Sequence, residues 1–157
     1  MNKEKENVWE YPRPAIYKSH IGEIEVISNN IVLAKISNAI SVLETSHPPT
    51  YYFPSEDVKV EFLKKNNHTS YCEWKDSANY FDLFLENIEI TNIGWSYLTP
   101  NKKFLPIKSY ISFYASKVEK CFVNGEQVKK QDGDFYRGWI TDNLVGPFKG
   151  GPKTLDW

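Results

Sequence analysis

The apolar residues of this chain alternate with polar ones or run in short blocks, and residues typical of turns interrupt them every few positions. This pattern predicts short, half-buried β-strands, and no stretch shows the period of a long amphipathic helix. Strands at 23–27 and 31–36 flank Asn29-Asn30, two residues that tolerate a left-handed backbone, and this arrangement predicts a hairpin. A second hairpin is predicted around Asn124-Gly125, because both residues accept the positive φ of a type I′ turn.

Further strands are predicted between these hairpins, at residues 58–63, 69–74, 78–85, 93–97 and 107–114. In the last of them, Tyr110, Ser112 and Tyr114 share a face with Lys108, which suits either solvent or the polar wall of a pocket. The opposite face carries Ile107, Ser109, Ile111 and Phe113. Helix is limited to single turns near residues 55 and 141, the first capped by Ser55. The prediction is a mainly β, compact barrel or sandwich with one or two short helical turns.

The length of 157 residues fits one domain, and hydrophobic residues at 41% are enough for a core of that size. We predict a polar N-terminal extension over residues 1–11 and a single β-rich domain over residues 12–157. The turn-rich end of the chain closes on Trp157, a residue that favours burial. We therefore expect that tail to dock on the domain.

Several classes of function are excluded at this stage. The net charge of −1 offers no general attraction for a phosphate backbone, so no nucleic-acid partner is expected. No apolar run is long enough to span a bilayer and the N-terminus is polar, so we expect no membrane association and a cytoplasmic location. Phosphate-binding and dinucleotide-binding motifs are absent, and the histidines lack ligand spacing. No cofactor and no metal are expected.

The segment 43–54 combines polar and aromatic side chains around Pro48-Pro49, which holds its flanks rigidly. One interpretation is a ligand-binding loop in which Glu44 or His47 acts as a general base. The other is a solvated turn followed by an edge strand that Pro54 ends. Arg13, held extended between two prolines, would pair with Glu44, clamp an anionic ligand or lie at the surface.

Cys72 lies on the predicted strand 69–74, on the same face as His68, Ser70 and Trp74. A nearby imidazole would activate the thiol as a nucleophile. His68 lies roughly 13 Å from Cys72 along an extended strand, which counts against a direct pair. The alternative is a buried cysteine acting as a small hydrophobic residue. Trp95 and Trp139 are expected to be core anchors or pocket walls.

Six short motifs, in order, resemble the domain-of-unknown-function 427 family, and the resemblance extends over residues 12–157. They are Pro12-Arg13-Pro14-Ala15, Val42-Leu43-Glu44-Thr45, Tyr51-Tyr52-Phe53-Pro54, Cys72-x-Trp74-Lys75, Trp95-Ser96-Tyr97 and Ile111-x-Phe113-Tyr114. The resemblance implies a small all-β domain with a tent-like or barrel-like arrangement and no settled activity. The nucleotidyltransferase-like label of the family is not adopted, because the Gly-Ser and paired-Asp signature of that chemistry is missing.

The chain also departs from the family pattern. Asn38 and Ser41 occupy the stretch where relatives carry an arginine, and Asp76 follows Lys75 where relatives carry glycine. If relatives bind an anion through residues at those positions, this chain lacks the matching residues. The resemblance and the residue patterns together nominate the ligand-binding residues Arg13, Glu44, Tyr52, Cys72, Lys75, Trp95 and Tyr114.

The first functional hypothesis is a small-molecule-binding domain with an aromatic-lined polar pocket. Tyr52, Tyr80, Trp95 and Tyr114 would line it, with Glu44 and Lys75 as polar anchors. The second is an enzyme acting on a small metabolite, for which Cys72, Glu44 and Lys75 are the catalytic candidates. The third is a protein-interaction module that uses exposed aromatic residues. The sequence also leaves open a homodimer.

Overall fold

The computed structural model of the chain describes residues 5–11, 16–19, 22–43, 49–72, 76–115, 117–129, 139–141 and 144–145, with the backbone alone at Cys72, Asp76 and Val145. Its strands are β1 (Glu6–Asn7), β2 (Ile16–Ser19), β3 (Ile24–Ser28), β4 (Ile31–Ile36), β5 (Ile40–Leu43), β6 (Thr50–Tyr52), β7 (Leu63–Cys72), β8 (Asp76–Leu85), β9 (Ile88–Ser96), β10 (Ile111–Phe113), β11 (Lys120–Val123), β12 (Glu126–Gln127) and β13 (Leu144–Val145). The described 3-10 helices are η1 (Val8–Glu10), η2 (Ser55–Asp57), η3 (Val60–Phe62) and η4 (Lys102–Ile107).

Two antiparallel layers make up most of the fold. One layer has the strand order β12-β11-β3-β4. The other consists of the sheets β2-β5-β6 and β10-β9-β8-β7, which meet where Phe53 and Ile111 exchange backbone hydrogen bonds of 2.8 and 2.7 Å. We call this joined layer the long sheet. The prediction of a mainly β fold is confirmed in its sandwich form, since the described strands do not close into a barrel.

The main core fills the space between the two layers. Ile24, Val26 and Leu33 of β3 and β4 contribute from one side, and Ile111 and Phe113 of β10 contribute from the other. Each of these side chains is at most 4% exposed. Burying such a side chain stabilises the fold by about 1.5–3 kcal/mol, so this cluster is the main source of stability.

Both predicted hairpins are confirmed. Strands β3 and β4 are antiparallel neighbours, and Asn29 and Asn30 between them have φ of 49° and 62°. Strands β11 and β12 are joined by Asn124 and Gly125, with φ of 53° and 84°. Positive φ at both positions is what a type I′ turn requires, and Asn and Gly adopt it at low cost.

Two β-bulges flank β8 and change which side chains face the core. In β7, residues 66–68 lie opposite a single residue, Tyr80, and in β9, residues 91–93 lie opposite Asp82. The extra residues break the strict alternation of β9. Ile93, within the β9 bulge, joins the main core, while Trp95 and Tyr97 lie on the other face of the long sheet.

Two strand predictions are wrong. Residues 58–63 form a bridge at Val58 and the 3-10 helix η3, because Lys59 donates its backbone N–H to Leu33 and takes the chain along β4. Residues 107–110 are not strand either. Helix η4 ends at Ile107, and Ser109 has a φ of 63°, so that only Ile111–Phe113 pairs as β10. Ser55 begins the 3-10 helix η2 and does not cap it.

Residues 6–8 form part of the packed structure. Strand β1 pairs in parallel with β13 through Glu6 and Leu144, and Val8 of η1 is fully buried. Among the described residues, none of the helices has the length and apolar character needed to cross a bilayer.

Candidate functional site

The outer face of the long sheet carries a row of side chains that crosses five neighbouring strands. Tyr52 pairs with Ile40, and Trp95 pairs with both Ser112 and Tyr80. The Phe53–Ile111 bridge sets Tyr52 beside Ser112, because antiparallel partners step in opposite directions. The row therefore runs Ile40, Tyr52, Ser112, Trp95, Tyr80. We call it the aromatic row.

Tyr52 and Trp95 make contact across the strand that separates them. The indole Nε1 of Trp95 donates a hydrogen bond of 3.1 Å to the Tyr52 hydroxyl, and the ring centroids are 6.1 Å apart at an interplanar angle of 89°. Strands β6 and β9 both neighbour β10, so they lie about 10 Å apart. Both rings must therefore lean over β10, and Ser112 is the β10 residue beneath them. A small side chain at this position leaves room for the rings to meet.

Most buried polar groups in proteins form hydrogen bonds, and the Ser112 hydroxyl is an exception among the described residues. Ser112 is 0% exposed, and its Oγ has no hydrogen-bond partner among the residues that the structure describes. A buried hydroxyl left unpaired costs about 1–3 kcal/mol. Ser96, one position after Trp95 and therefore on the opposite face of the sheet, has the same property.

Two further aromatic residues lie beside the row, one next to Trp95 and one next to Tyr52. The ring of Tyr114 lies 5.0 Å from that of Trp95, and the ring of Tyr97 lies 6.4 Å from that of Tyr52. Helix η4 covers one end with Phe104 and Ile107, both fully buried. The second hydrophobic cluster of the protein is thus largely aromatic and lies on the face of the long sheet away from the main core.

The other end of the row reaches the surface at β7. The hydroxyls of Ser70 and Tyr80 share a hydrogen bond of 2.6 Å, and the imidazole of His68 lies 4.4 Å from the ring of Tyr80. Tyr80 is 3% exposed, whereas Ser70 is half-buried and His68 is exposed. The row therefore passes from a buried centre at Trp95 to a polar rim at His68 and Ser70.

Three of the nominated ligand-binding residues come together here. Tyr52, Trp95 and Tyr114, which lie far apart in the sequence, belong to one cluster. Arg13, Glu44 and Lys75 lie outside the described residues, as does the side chain of Cys72, so their part in a site stays a prediction.

The described residues that flank those positions lie at strand ends. Leu43, which precedes Glu44, pairs with Ile16, and Cys72 pairs with Asp76 where β7 ends and β8 begins. His68 and Ser70 both contact Tyr80, so they share a face of β7, as the alternation predicted.

Ser112 is not among the site residues that the sequence nominates, although it belongs to the possible pocket wall of Tyr110, Ser112 and Tyr114. The pattern carried a usable signal, since a serine between Ile111 and Phe113 must face away from the core. Its neighbours across the sheet were not predictable, because they depend on the junction between β6 and β10. The described residues hold no group of three or more His, Cys, Asp and Glu side chains placed to bind a metal ion.

The core-facing side of β6 has a different electrostatic character. Tyr11 donates a hydrogen bond of 2.6 Å to Glu6, and the ring of Tyr51 packs 5.1 Å from Trp139. Burial, with a smaller contribution from the negative charge of Glu6, raises the pKa of Tyr51 far above its ordinary value. Burial and the hydrogen bond with Glu6 do the same to the pKa of Tyr11. Both phenols therefore stay protonated in the folded protein.

Comparison with known families agrees with the resemblance drawn from the motifs. A family model described as "Domain of unknown function (DUF427)" matches residues 16–124, which include the whole aromatic row. Comparison with curated proteins gives no match. Since the family model matches well over half of the sequence, the chain belongs to the domain-of-unknown-function 427 family.

Proposed function

We propose that this protein binds a small molecule at the aromatic row on the outer face of the long sheet. The observation that carries the proposal is the Ser112 hydroxyl, which is fully buried and has no partner among the described residues. Buried polar groups are normally hydrogen-bonded, so an unpaired one beside several aromatic rings suits a site that a ligand completes.

The surrounding chemistry supports a ligand with an apolar body and a polar group. Tyr52, Trp95 and Tyr114 supply aromatic surface, and each such ring buries a large apolar area. The serine hydroxyl both donates and accepts hydrogen bonds, so it would pair with a carbonyl, an amide or a hydroxyl. Glu44 and Lys75 remain the predicted polar anchors.

Access to Ser112 passes through the Tyr52–Trp95 contact. The two rings meet above the serine, where the Trp95 indole donates a hydrogen bond of 3.1 Å to the Tyr52 hydroxyl. A neutral hydrogen bond contributes about 0.5–1.5 kcal/mol net, a cost that ligand contacts readily offset. Parting of these two side chains on binding is therefore part of the proposal.

A thermal-shift screen of metabolites tests the proposal, with Ser112→Ala and Ser96→Ala run beside the unaltered protein. Both serines are buried and lack a hydrogen-bond partner among the described residues, but they face opposite sides of the sheet, so Ser96→Ala is a matched control. A ligand at 100 times its dissociation constant adds about 2.7 kcal/mol of stability. We expect hits whose affinity falls about tenfold in Ser112→Ala and is unchanged in Ser96→Ala.

Two outcomes would count against the proposal. One is a screen in which no compound stabilises the unaltered protein. The other is a set of ligands that bind the unaltered protein and Ser112→Ala equally well, because binding would then occur elsewhere. A shift in the fluorescence of Trp95, measured against Trp95→Phe, provides a second readout at the site.

A further inference from the structure

The bulge in β7 places an exposed imidazole against the rim of the aromatic row. Residues 66–68 bulge opposite Tyr80, and His68 from this bulge lies 4.4 Å from the Tyr80 ring with the ring planes inclined by 55°. Tyr80 is in turn the register partner of Trp95 at the centre of the row. Bulges often redirect a side chain beside a functional site. Here the bulge brings His68 to the surface end of the row.

A polar network across three strands holds that bulge in place. The amide Nδ2 of Asn66 donates to Asp82 Oδ1 at 2.7 Å and to Asn92 Oδ1 at 2.6 Å. Asp82 Oδ1 also accepts from the Asn92 backbone N–H at 2.9 Å, and Asn66 Oδ1 accepts from the His68 backbone N–H at 2.7 Å. The backbone of His68 is therefore tied to both bulges, and its position beside Tyr80 is built into the sheet.

We infer that His68 is the outer wall of the site and that the ligand is a planar aromatic or heteroaromatic molecule. The inference rests on the proposed function and specifies its ligand class. From the centre to the rim, the row carries aromatic rings at Trp95, Tyr80 and His68. Contacts between aromatic rings add about 0.5–1.5 kcal/mol beyond area burial, so such a row favours a flat ring over an aliphatic ligand of equal size.

The hydroxyl pair at the rim supplies the polar part of the recognition. Ser70 Oγ and Tyr80 OH lie 2.6 Å apart on the face that His68 also occupies. A ring nitrogen, carbonyl or hydroxyl on the ligand would hydrogen-bond to this pair. The inference thus adds His68, Ser70 and Tyr80 to the ligand contacts.

Titration of the full-length protein with two matched groups of probes tests the inference by nuclear magnetic resonance. The planar probes are indole, quinoline and nicotinamide, and the non-planar probes are cyclohexanol and valerolactam. The imidazole signals of His68 and the indole signal of Trp95 report binding. We expect the planar probes to shift both signals and to bind more tightly than the non-planar probes.

Three variants assign the effect to His68. His68→Ala should weaken binding of the planar probes about three- to tenfold, and His68→Phe should restore most of it, because the phenyl ring keeps the stacking surface. Tyr71→Ala is the control, since Tyr71 is 72% exposed and points to the other face of β7. It should bind the probes as the unaltered protein does.

The outcomes distinguish a failure of this inference alone from a failure of the proposed function. If the planar probes bind and shift Trp95 but His68→Ala binds them equally well, His68 is not a wall of the site, and the proposed function stands. If the non-planar probes shift Trp95 and the planar ones do not, the ligand class is wrong. If neither group shifts Trp95 or changes the thermal stability, the proposed function fails together with this inference.

Discussion

The hydroxyl of Tyr52 and the indole nitrogen of Trp95 lie 3.1 Å apart, although the strands that carry them are separated by β10. Tyr52 comes from the sheet β2-β5-β6, and Trp95 comes from the sheet β10-β9-β8-β7. Their hydrogen bond therefore supports the junction at which the two sheets join through Phe53 and Ile111. The residues that form the candidate site also hold the long sheet together.

Replacement of Tyr52 by Phe removes this hydrogen bond and leaves the aromatic contact. The indole N–H is a donor only and Trp95 is 0% exposed, so loss of the acceptor should lower the free energy of unfolding by about 1–3 kcal/mol. Urea unfolding followed by circular dichroism measures the change. Tyr71→Phe, at an exposed position, should be close to neutral. A Tyr52→Phe protein as stable as the unaltered one would show that the bond contributes little.

Changes at Ser112 should have opposite effects according to size. Ser112→Ala removes a buried hydroxyl that has no described partner, so the free energy of unfolding should stay within about 0.5 kcal/mol or rise. Ser112→Leu should lower it by about 1–3 kcal/mol, because the added carbons would force Tyr52 and Trp95 apart. Chemical denaturation of both variants gives the comparison. A large loss in Ser112→Ala would mean that the hydroxyl is paired within the protein.

The local features of the fold were predictable from short-range chemistry. The hairpins at Asn29-Asn30 and Asn124-Gly125 follow from residues that accept positive φ, and the alternation of β3 follows from a core on one side. The predicted strand at 107–114 was wrong because Ile107 and Ile111 satisfy the alternation equally well. Only the chain reversal at Ser109 separates them, which puts Ile107 in the second cluster and Ile111 in the main core.

The site itself was predictable only in part. Tyr52, Trp95 and Tyr114 were nominated from motif positions, and they do belong to one cluster. Ser112, Ser70 and His68 acquire their roles from cross-strand register, which depends on two bulges and on the contact between sheets. Each bulge sets three residues opposite one and so shifts the cross-strand register by two positions, and no local pattern in residues 66–68 or 91–93 indicates it.

A methyl group at Gly94 should disrupt the strand pair that carries Trp95. A Cβ built at this position lies 2.5 Å from the backbone oxygen of Ser112, closer than real Cβ atoms come to other atoms. Backbone cannot yield as a flexible side chain does, so Gly94→Ala should cost about 1–3 kcal/mol. Thr91→Ala, at an exposed position of the same strand, is the control. Thermal unfolding of both variants tests the close approach of β9 and β10.

Removal of the Asp82 carboxylate should loosen both bulges. Asp82 Oδ1 accepts from the Asn66 side chain and from the Asn92 backbone, and Asn92 has a φ of 54° that this contact helps to hold. Asp82→Ala should lower the free energy of unfolding by about 1–3 kcal/mol and shift the imidazole resonances of His68. Glu89→Ala, an exposed carboxylate on β9, should do neither. If the His68 signals are unchanged in Asp82→Ala, the polar network does not hold His68 in its position at the rim.

The stability of the fold should fall at high pH because of Tyr51. Burial raises the pKa of Tyr51 above its ordinary value of about 10, and the charge of Glu6 raises it further. The unfolded chain therefore loses this proton at a lower pH than the folded protein does. The contribution of this residue is full well below pH 10 and declines above it, with a slope that approaches about 1.4 kcal/mol per pH unit.

Denaturant unfolding between pH 9 and pH 11 measures that slope. Tyr51→Phe should reduce the decline, because the group that ionises in the unfolded state is gone. Glu6→Gln should keep most of it, because burial is the larger cause of the raised pKa. An unchanged slope in Tyr51→Phe would assign the alkaline decline to other groups, of which Tyr11, hydrogen-bonded to Glu6, is the first to test.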